Sequence, residues 1–319
     1  MQNWNDIQKA IAKAQKILIF THVNMDGDAA GSSCALCRSL RAMGKDCFIL
    51  LEDDCPRYLQ FLDDGGMFIK QAPWTPDLSI AVDCGDDSRI EKRKDVFHAA
   101  PVTMCIDHHM KSGPFAQLEA IDPAAPAAGS LVFELLQAMN APIDKDAAEA
   151  LYVAIATDTG SFKHGNTTAE AHLDAAKLYG YGIDAVKLNN FVYGSYPLPQ
   201  LKLEAMAVER VQLFADGKAA VSWCTQEDLR RFGALDEHTE CCIDRIRSIE
   251  GVEAAAFLKE KADGRIKVSL RSKSYADVNA VARQFDGGGH LRASGCTFYC
   301  SIEEALEQIR PALEASVAP

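Results

Sequence analysis

The chain has 319 residues, 48% hydrophobic and 24% charged, with a formal net charge of −12. That is the make-up of a globular protein long enough for two domains, and its acidic balance argues against a general grip on long nucleic acid, which needs a basic face. No apolar run reaches the length of a membrane span, and the polar start "MQNWNDIQKAIAKAQK" lacks a signal-peptide core. A cytoplasmic protein is expected. The eleven scattered cysteines suit a reducing compartment. Cys34 and Cys37 form a CxxC inside a helical pattern, with no second pair at zinc spacing, and read as small buried helix residues.

Residues 1–16 carry Ile7 and Ile11 at helical spacing, and a strand follows at 17–22. The loop Asn24–Asp28 opens a helix through "AAGSSCALCRSLRAMG", closed by Gly44. A strand over 46–51 comes next, then strands ending at Asp83 and Asp107. This alternation predicts an α/β fold with a doubly wound parallel sheet. "AAGSLVFELLQAMN" and "DAAEALYVAIAT" read as helices, the second delivering Asp158 at its end. A further helix, "TAEAHLDAAKLYGYG", leads into the less patterned "NNFVYGSYPLPQLKL". The expected division is a catalytic domain over 1–185, a linker over 186–200 and a smaller α+β domain over 201–319. That second domain opens with two hairpins turning at Asp216-Gly217 and Asp263-Gly264. It continues with a helix, "DVNAVARQF", and a glycine-rich loop, "DGGGHLRASGC".

Four clusters carry the chemistry: His22-Val23-Asn24-Met25-Asp26-Gly27-Asp28, then Asp83, then Asp107-His108-His109, then Asp158. Three of them follow the apolar runs "ILIF", "LSIAV" and "VTMCI", which read as buried parallel strands. Those clusters then fall at strand carboxyl ends, where open α/β sheets bind ligands. So many carboxylates and imidazoles at one rim repel one another unless a cation compensates. Oxygen and imidazole donors without cysteine suit Mn²⁺, Co²⁺, Fe²⁺ or Zn²⁺. Gly27 would permit a tight backbone aiming Asp26 and Asp28 at different ions, and Asp83 has two oxygens with which to bridge them. Two metals about 3.5–4 Å apart suit in-line displacement at phosphorus. The plain alternative for any one strand-end aspartate is a loop cap; four such clusters together argue against it.

"THVNMDGDAAGS", "AVDCGD", "CIDHH" and "ATDTGSF", in this order, resemble the four motifs of the DHH phosphoesterase superfamily. "VSLRSK" and "DVNAVARQFDGGGHLRASGC" resemble the DHHA1 substrate-binding domain. The overall size resembles the NrnA-like group, bifunctional oligoribonucleases (nanoRNases) and 3′-phosphoadenosine 5′-phosphate phosphatases. The resemblance implies a two-metal hydrolase that cleaves short oligoribonucleotides or dinucleotides to mononucleotides and dephosphorylates 3′-phosphoadenosine 5′-phosphate. Two divalent ions are implied, Mn²⁺ first, with Co²⁺ or Mg²⁺ as substitutes. His22, Asp26 and Asp83 would hold one, and Asp28, Asp83, His108 and Asp158 the other. His109 would face the scissile phosphate, with Asp107 orienting a histidine.

In the second domain Arg271 is the best phosphate or carboxylate clamp, because a guanidinium binds bidentately. Gly287, Gly288 and Gly289 would let backbone amides cradle an anion, and His290 could bond a phosphate. Arg292 and Ser294 lie close enough in sequence to contribute. His164 and Asn166 read either as cleft-lining residues or as part of a surface loop. The chain departs from the family pattern in carrying Met25 in place of the usual proline, and "MKSGPF" after DHH without the usual asparagine. The partners implied are short RNA, dinucleotides or 3′-phosphoadenosine 5′-phosphate, with no long nucleic acid and no membrane; a homodimer is admitted. A cyclic-dinucleotide phosphodiesterase is the main alternative. A pyrophosphatase or exopolyphosphatase is disfavoured by the GGGH loop, and a dead nucleotide-binding module by the complete ligand set.

Overall fold

A computed structural model describes residues 4–63, 65–110 and 113–318. Lys111 and Ser112, part of "MKSGPF", lie outside them. The chain divides into two compact units, Met1–Ser195 and Tyr196–Pro319.

The first unit runs α1 (Asn5–Lys13), β1 (Lys16–Phe20), α2 (Gly27–Ala42), β2 (Asp46–Leu50), β3 (Phe68–Ile69), β4 (Leu78–Val82) and α3 (Lys94–His98). It continues with β5 (Val102–Asp107), β6 (Leu118–Ile121), α4 (Ala128–Ala138), α5 (Lys145–Asp158), α6 (Ala169–Tyr179) and α7 (Ala185–Tyr193). The strands pair in the order β3-β2-β1-β4-β5-β6, with every neighbour parallel. Alternate side chains serve opposite faces. Ile17, Ile19, Ile80, Val82, Met104 and Ile106 pack into the large core with α1, α2, α4 and α5. Leu18, Phe20, Ala81 and Cys105 face a thinner layer around Ile90 and Phe97. Because both faces are covered, the strands read as continuous apolar runs. The chain winds outward from β1, then returns to place β4 on β1's other side. That reversal is a topological switch point, the usual ligand crevice of open α/β sheets. His22 follows β1 and Asp83 follows β4, so they flank it.

The segment 186–200, expected as a less patterned linker, contains the boundary between the units but is mostly helical. α7 buries Ala185 and Leu188 in the first unit's core, and the next helix begins at Leu198. Cys34 and Cys37 are buried on α2.

The second unit comprises α8 (Leu198–Glu209), β7 (Gln212–Phe214), β8 (Ala219–Cys224), α9 (Gln226–Phe232), α10 (Cys242–Arg247) and β9 (Ala254–Glu260). β10 (Ile266–Ser272), α11 (Val278–Arg283), β11 (Gly288–His290), β12 (Ala293–Phe298) and α12 (Ile302–Ser316) complete it. Its sheet has the order β11-β12-β10-β9-β8-β7, antiparallel except for the β8–β9 pair. Both expected hairpins form, with Gly217 and Gly264 at φ +80 and +81°. The expected glycine-rich loop is different: Gly288–His290 is a short edge strand on β12. A Cβ on Gly287 would sit 2.3 Å from Gly295 O, and one on Gly289 2.6 Å from Ala293 O. Gly287 and Gly289 are therefore required for close strand approach, whereas Gly288 has open space, and part of this backbone is committed to sheet pairing instead of a free cradle.

Candidate metal centre

β1 ends beside His22, whose Nδ1 lies 2.8 Å from Val23 O. A carbonyl only accepts, so that bond fixes the proton on Nδ1 and presents Nε2 to its neighbours. Nε2 lies 3.6 Å from both Asp26 Oδ2 and Asp83 Oδ2. Asp26 is the N-cap of α2: its Oδ1 accepts from Asp28 N and Ala29 N, each at 3.0 Å. One oxygen caps the helix and the other is left to face His22.

Asp28, one residue into α2, is 1% exposed. Its two oxygens accept from Ala128 N at 2.7 Å and Gly129 N at 2.9 Å, so it caps α4 from a hundred residues away. Three glycines make this packing fit. A Cβ on Gly27 would lie 2.4 Å from Thr157 Oγ1, on Gly31 2.3 Å from Ala150 O, and on Gly129 2.6 Å from Ala154 Cβ. The expected reason for Gly27 was a tight turn. The structure gives another: Gly27 lies inside α2, and the need is room for α5.

Asp83 adopts a left-handed backbone, φ +59°, directly after β4. Non-glycine residues there are uncommon and cluster at functional sites. Its Oδ2 faces His22, while Oδ1 lies 3.7 Å from His108 Nε2 and 3.4 Å from His109 Nδ1. His108 Nε2 is also 3.6 Å from Asp28 Oδ2 and 3.7 Å from Asp158 Oδ2. One carboxylate thus stands between two groups: His22 with Asp26 on one side, and His108 with Asp28 and Asp158 on the other. Asp107, fully buried at the end of β5, uses Oδ1 to accept from His108 N (2.8 Å), His109 N (3.2 Å) and His109 Nδ1 (2.8 Å). His109 stands at the rim with its side chain 40% exposed.

The electrostatics are those of a site short of positive charge. Burial pushes the Asp28 carboxyl well above the usual carboxylate range, and Asp83 and Asp158 add to the effect. Burial likewise carries Asp158 to about 6, with His108 opposing. Burial would lower His22, but the Asp26 and Asp83 carboxylates outweigh it and raise its pKa to about 10. The Asp107 hydrogen bond raises His109.

The donor set fits divalent cations on one further observation. Among the described residues, Asp83 Oδ1 and His108 Nε2 are buried atoms without a hydrogen-bond partner. Leaving such atoms unsatisfied costs about 1–3 kcal/mol each. Their separations from neighbouring ligand atoms are too long for hydrogen bonds, but they suit donors around one ion with bonds of about 2.0–2.2 Å. The groups Asp28, His108, Asp158 and His22, Asp26, Asp83 each bring their ligand atoms within 4.8 Å of one another.

In the second unit, strand register aligns His290, Ala293 and Arg271 on three adjacent strands. Directly opposed residues share a face, so Arg271 and His290 flank the small Ala293 on one side of the sheet. Arg271 Nη1 is 3.0 Å from Leu270 O. Two other expected contributors turn to the backbone: Ser294, buried opposite Leu270, donates to His290 O at 2.7 Å, and Arg292 Nη1 donates to Ala276 O at 2.7 Å.

Residues 16–155 match the DHH family, N-terminal domain, and residues 216–318 match the DHHA1 domain. Over 304 residues the chain is 31% identical to the bifunctional oligoribonuclease and PAP phosphatase NrnA of Thermus thermophilus, covering 93% of this chain and 89% of that relative. The chain belongs to the DHH family. It is also 29% identical to NrnA of Bacillus subtilis, over 94% of each chain. Its fold matches the crystal structure of an exopolyphosphatase-related protein from Bacteroides fragilis with a TM-score of 0.92 and 29% identity, over 98% of this chain and 95% of that one. Within this DHH chain the first three clusters fall inside the matched 16–155 segment, and Asp158 lies just past its end. Sequence reasoning left Asn166 open and missed the 125–129 segment. The structure puts Asn166 Nδ2 2.7 Å from Asp158 Oδ2, and His164 Nδ1 3.3 Å from Asp158 O. The spacing of Asn166 from Asp158 hinted at this; nothing local marked 125–129.

Proposed function

We propose that this DHH chain is a two-metal phosphohydrolase. It cleaves short oligoribonucleotides and dinucleotides to mononucleotides and removes the 3′-phosphate of 3′-phosphoadenosine 5′-phosphate. Mn²⁺ is the preferred ion, and the cytoplasm, where eleven free thiols are stable, is its compartment. The observation that carries the reading is Asp83, whose two oxygens face two different histidine–aspartate groups. The two NrnA relatives supply the substrate class.

Two divalent ions held there would acidify a water nucleophile and neutralise the transferring phosphoryl group. The protein's own residues do the rest. Asp26 and Asp28 are fixed by backbone N–H groups, so their remaining lone pairs are aimed before any ion arrives. Asp107 orients both the backbone and the ring of His109 and favours its protonated form. When protonated, that ring can donate a hydrogen bond to a phosphoryl oxygen or a proton to a leaving oxygen. Arg271 and His290 give the second unit an anion-binding face for a nucleotide phosphate.

The test is a side-by-side rate comparison with Mn²⁺ on a 5′-phosphorylated dinucleotide, 3′-phosphoadenosine 5′-phosphate, a longer oligoribonucleotide, a cyclic dinucleotide and pyrophosphate. The proposal expects the first two to lead. Preference for pyrophosphate would sink the nucleotide assignment, and preference for the cyclic substrate would replace it with the cyclic-dinucleotide reading.

A further inference from the structure

The segment 125–129 contacts two of the four side chains assigned to the second proposed ion, His108 and Asp28, and reaches a third, Asp158, through Asn166. Ala125 O lies 3.3 Å from His108 Nδ1. Ala128 N and Gly129 N donate to Asp28 at 2.7 and 2.9 Å. Asp158 is reached indirectly: Asn166 Nδ2 lies 2.9 Å from Pro126 O and 2.7 Å from Asp158 Oδ2. A third oxygen, the main-chain carbonyl of Asp158, is 3.3 Å from the same nitrogen. Two of these three neighbours are carbonyls, which only accept, and the third is a carboxylate, so the amide nitrogen must face them. Its two hydrogens then match the two shortest contacts.

Asp158 differs from Asp26 and Asp28 in how it is held. Asp26 and Asp28 each accept from two backbone N–H groups. Asp158 ends α5, where the helix presents carbonyls and its dipole disfavours negative charge. Among the described residues, the hydrogen-bond donor to its carboxylate is Asn166. The chain brings Asn166 back through three consecutive left-handed residues, Gly160, Ser161 and Phe162, at φ +55, +58 and +62°. A Cβ on Gly160 would lie 2.2 Å from His164 Nε2, which ties the turn's conformation to the side chains that follow it.

We propose that Asn166 is a positioning residue for the second metal: it sets the Asp158 carboxylate and ties it through Pro126 to the segment that holds Asp28 and His108. This rests on the two-metal reading above. Removing the amide frees Asp158 alone, because Asp28 and His108 keep their backbone contacts. The defect is therefore confined to one site, and the group of His22, Asp26 and Asp83 is untouched.

The experiment is a calorimetric and electron-paramagnetic Mn²⁺ titration of the full chain in wild type, Asn166→Ala, Asn166→Ser and Asn166→Asp. Wild type is expected to bind a spin-coupled pair. Asn166→Ala and Asn166→Ser should keep one site within about twofold and weaken the other about 10–100-fold, the usual cost of losing an outer partner of a ligand. Asn166→Asp should be worse, since it sets a carboxylate against Asp158. The Mn²⁺ concentration for half-maximal hydrolysis should rise by the same factor, with kcat recovered at excess Mn²⁺. Metal-free melting should stay close to wild type, and the serine variant stands in if alanine fails to fold. Equal binding by wild type and the alanine and serine variants overturns the proposal, as does equal weakening of both sites. A wild type that binds no pair overturns the two-metal reading itself.

Discussion

Gly31→Ala tests whether the glycines of the helix layer set the metal geometry. Gly31 lies on α2 one turn beyond Asp28, against α5. A Cβ there would sit 2.3 Å from Ala150 O, 2.8 Å from Ala154 N and 3.0 Å from Ala154 Cβ, whereas ordinary contact begins at 3.4 Å. Two of these are backbone atoms and cannot swing aside, so α2 and α5 must part by about 1 Å. Overpacking of this kind costs about 1–3 kcal/mol, against which alanine's better helix propensity returns up to about 1 kcal/mol. A net loss of about 1–2 kcal/mol corresponds to a Tm about 2–8 °C lower for a unit of this size. The same parting separates Asp28 on α2 from Asp158 on α5, each within 3.7 Å of His108 Nε2. Mn²⁺ affinity at that group should fall about tenfold or more. Differential scanning calorimetry and Mn²⁺ titration check both effects. Gly65→Ala, whose Cβ would meet only Arg41 Nη1 at 3.7 Å, is the control and should be neutral. A Gly31→Ala protein with wild-type Tm and wild-type metal binding would refute the packing argument.

Two further outcomes follow from individual side chains. If His109, half-exposed at the rim, acts on the substrate as proposed, His109→Gln should lower kcat by about 10²–10⁴-fold while leaving Mn²⁺ binding intact; stopped-flow rates alongside metal titration separate the two. In the second unit, burial would raise the Asp228 pKa, but hydrogen bonds from Arg210 and from the backbone N–H and hydroxyl of Thr225 outweigh it and lower it to about 2. A folded-state pKa below the unfolded value of about 3.9 means that this stabilisation is full above pH 5. It is lost as pH falls through 4 toward 2. Arg210 is partly exposed, so screening trims the contribution to about 1 kcal/mol. Thermal melts from pH 6 to 2 should show wild type losing its advantage over Asp228→Asn across that window; a constant gap between them would show that the carboxylate's ionisation is not responsible.

The strands and the acidic clusters were legible because each is a local pattern. Apolar runs such as "LSIAV" gave β4, and the one or two residues after each run gave a candidate site position: His22, Asp83 and Asp107. What sequence did not reveal is long-range. Asp28 capping α4 and Asn166 joining Pro126 to Asp158 connect residues with no shared periodicity. Gly27 was read for backbone freedom, when its demand comes from Thr157 on another helix. The GGGH segment was read as a loop because glycine is a poor strand former, and the close approach to β12 overrode that propensity. The segment over 186–200 was read as a linker partly from its prolines, and the boundary between the units, Ser195/Tyr196, falls within it; its helices went unread, since Pro199 sits in the first turn of α8, where proline is well tolerated.

On the proposed two-metal reading, Asp83 would offer one oxygen to each ion. Its left-handed backbone is one asparagine also tolerates, so Asp83→Asn alters ligation while sparing the fold. The decisive measurement is Mn²⁺ stoichiometry for wild type and Asp83→Asn, read together with the rate on a 5′-phosphorylated dinucleotide. A shared Asp83 carboxylate predicts two ions per wild-type chain, no spin-coupled pair in the variant and a rate lower by about a hundredfold or more. An Asp83→Asn protein that still binds two coupled ions and hydrolyses the dinucleotide at the wild-type rate would contradict it.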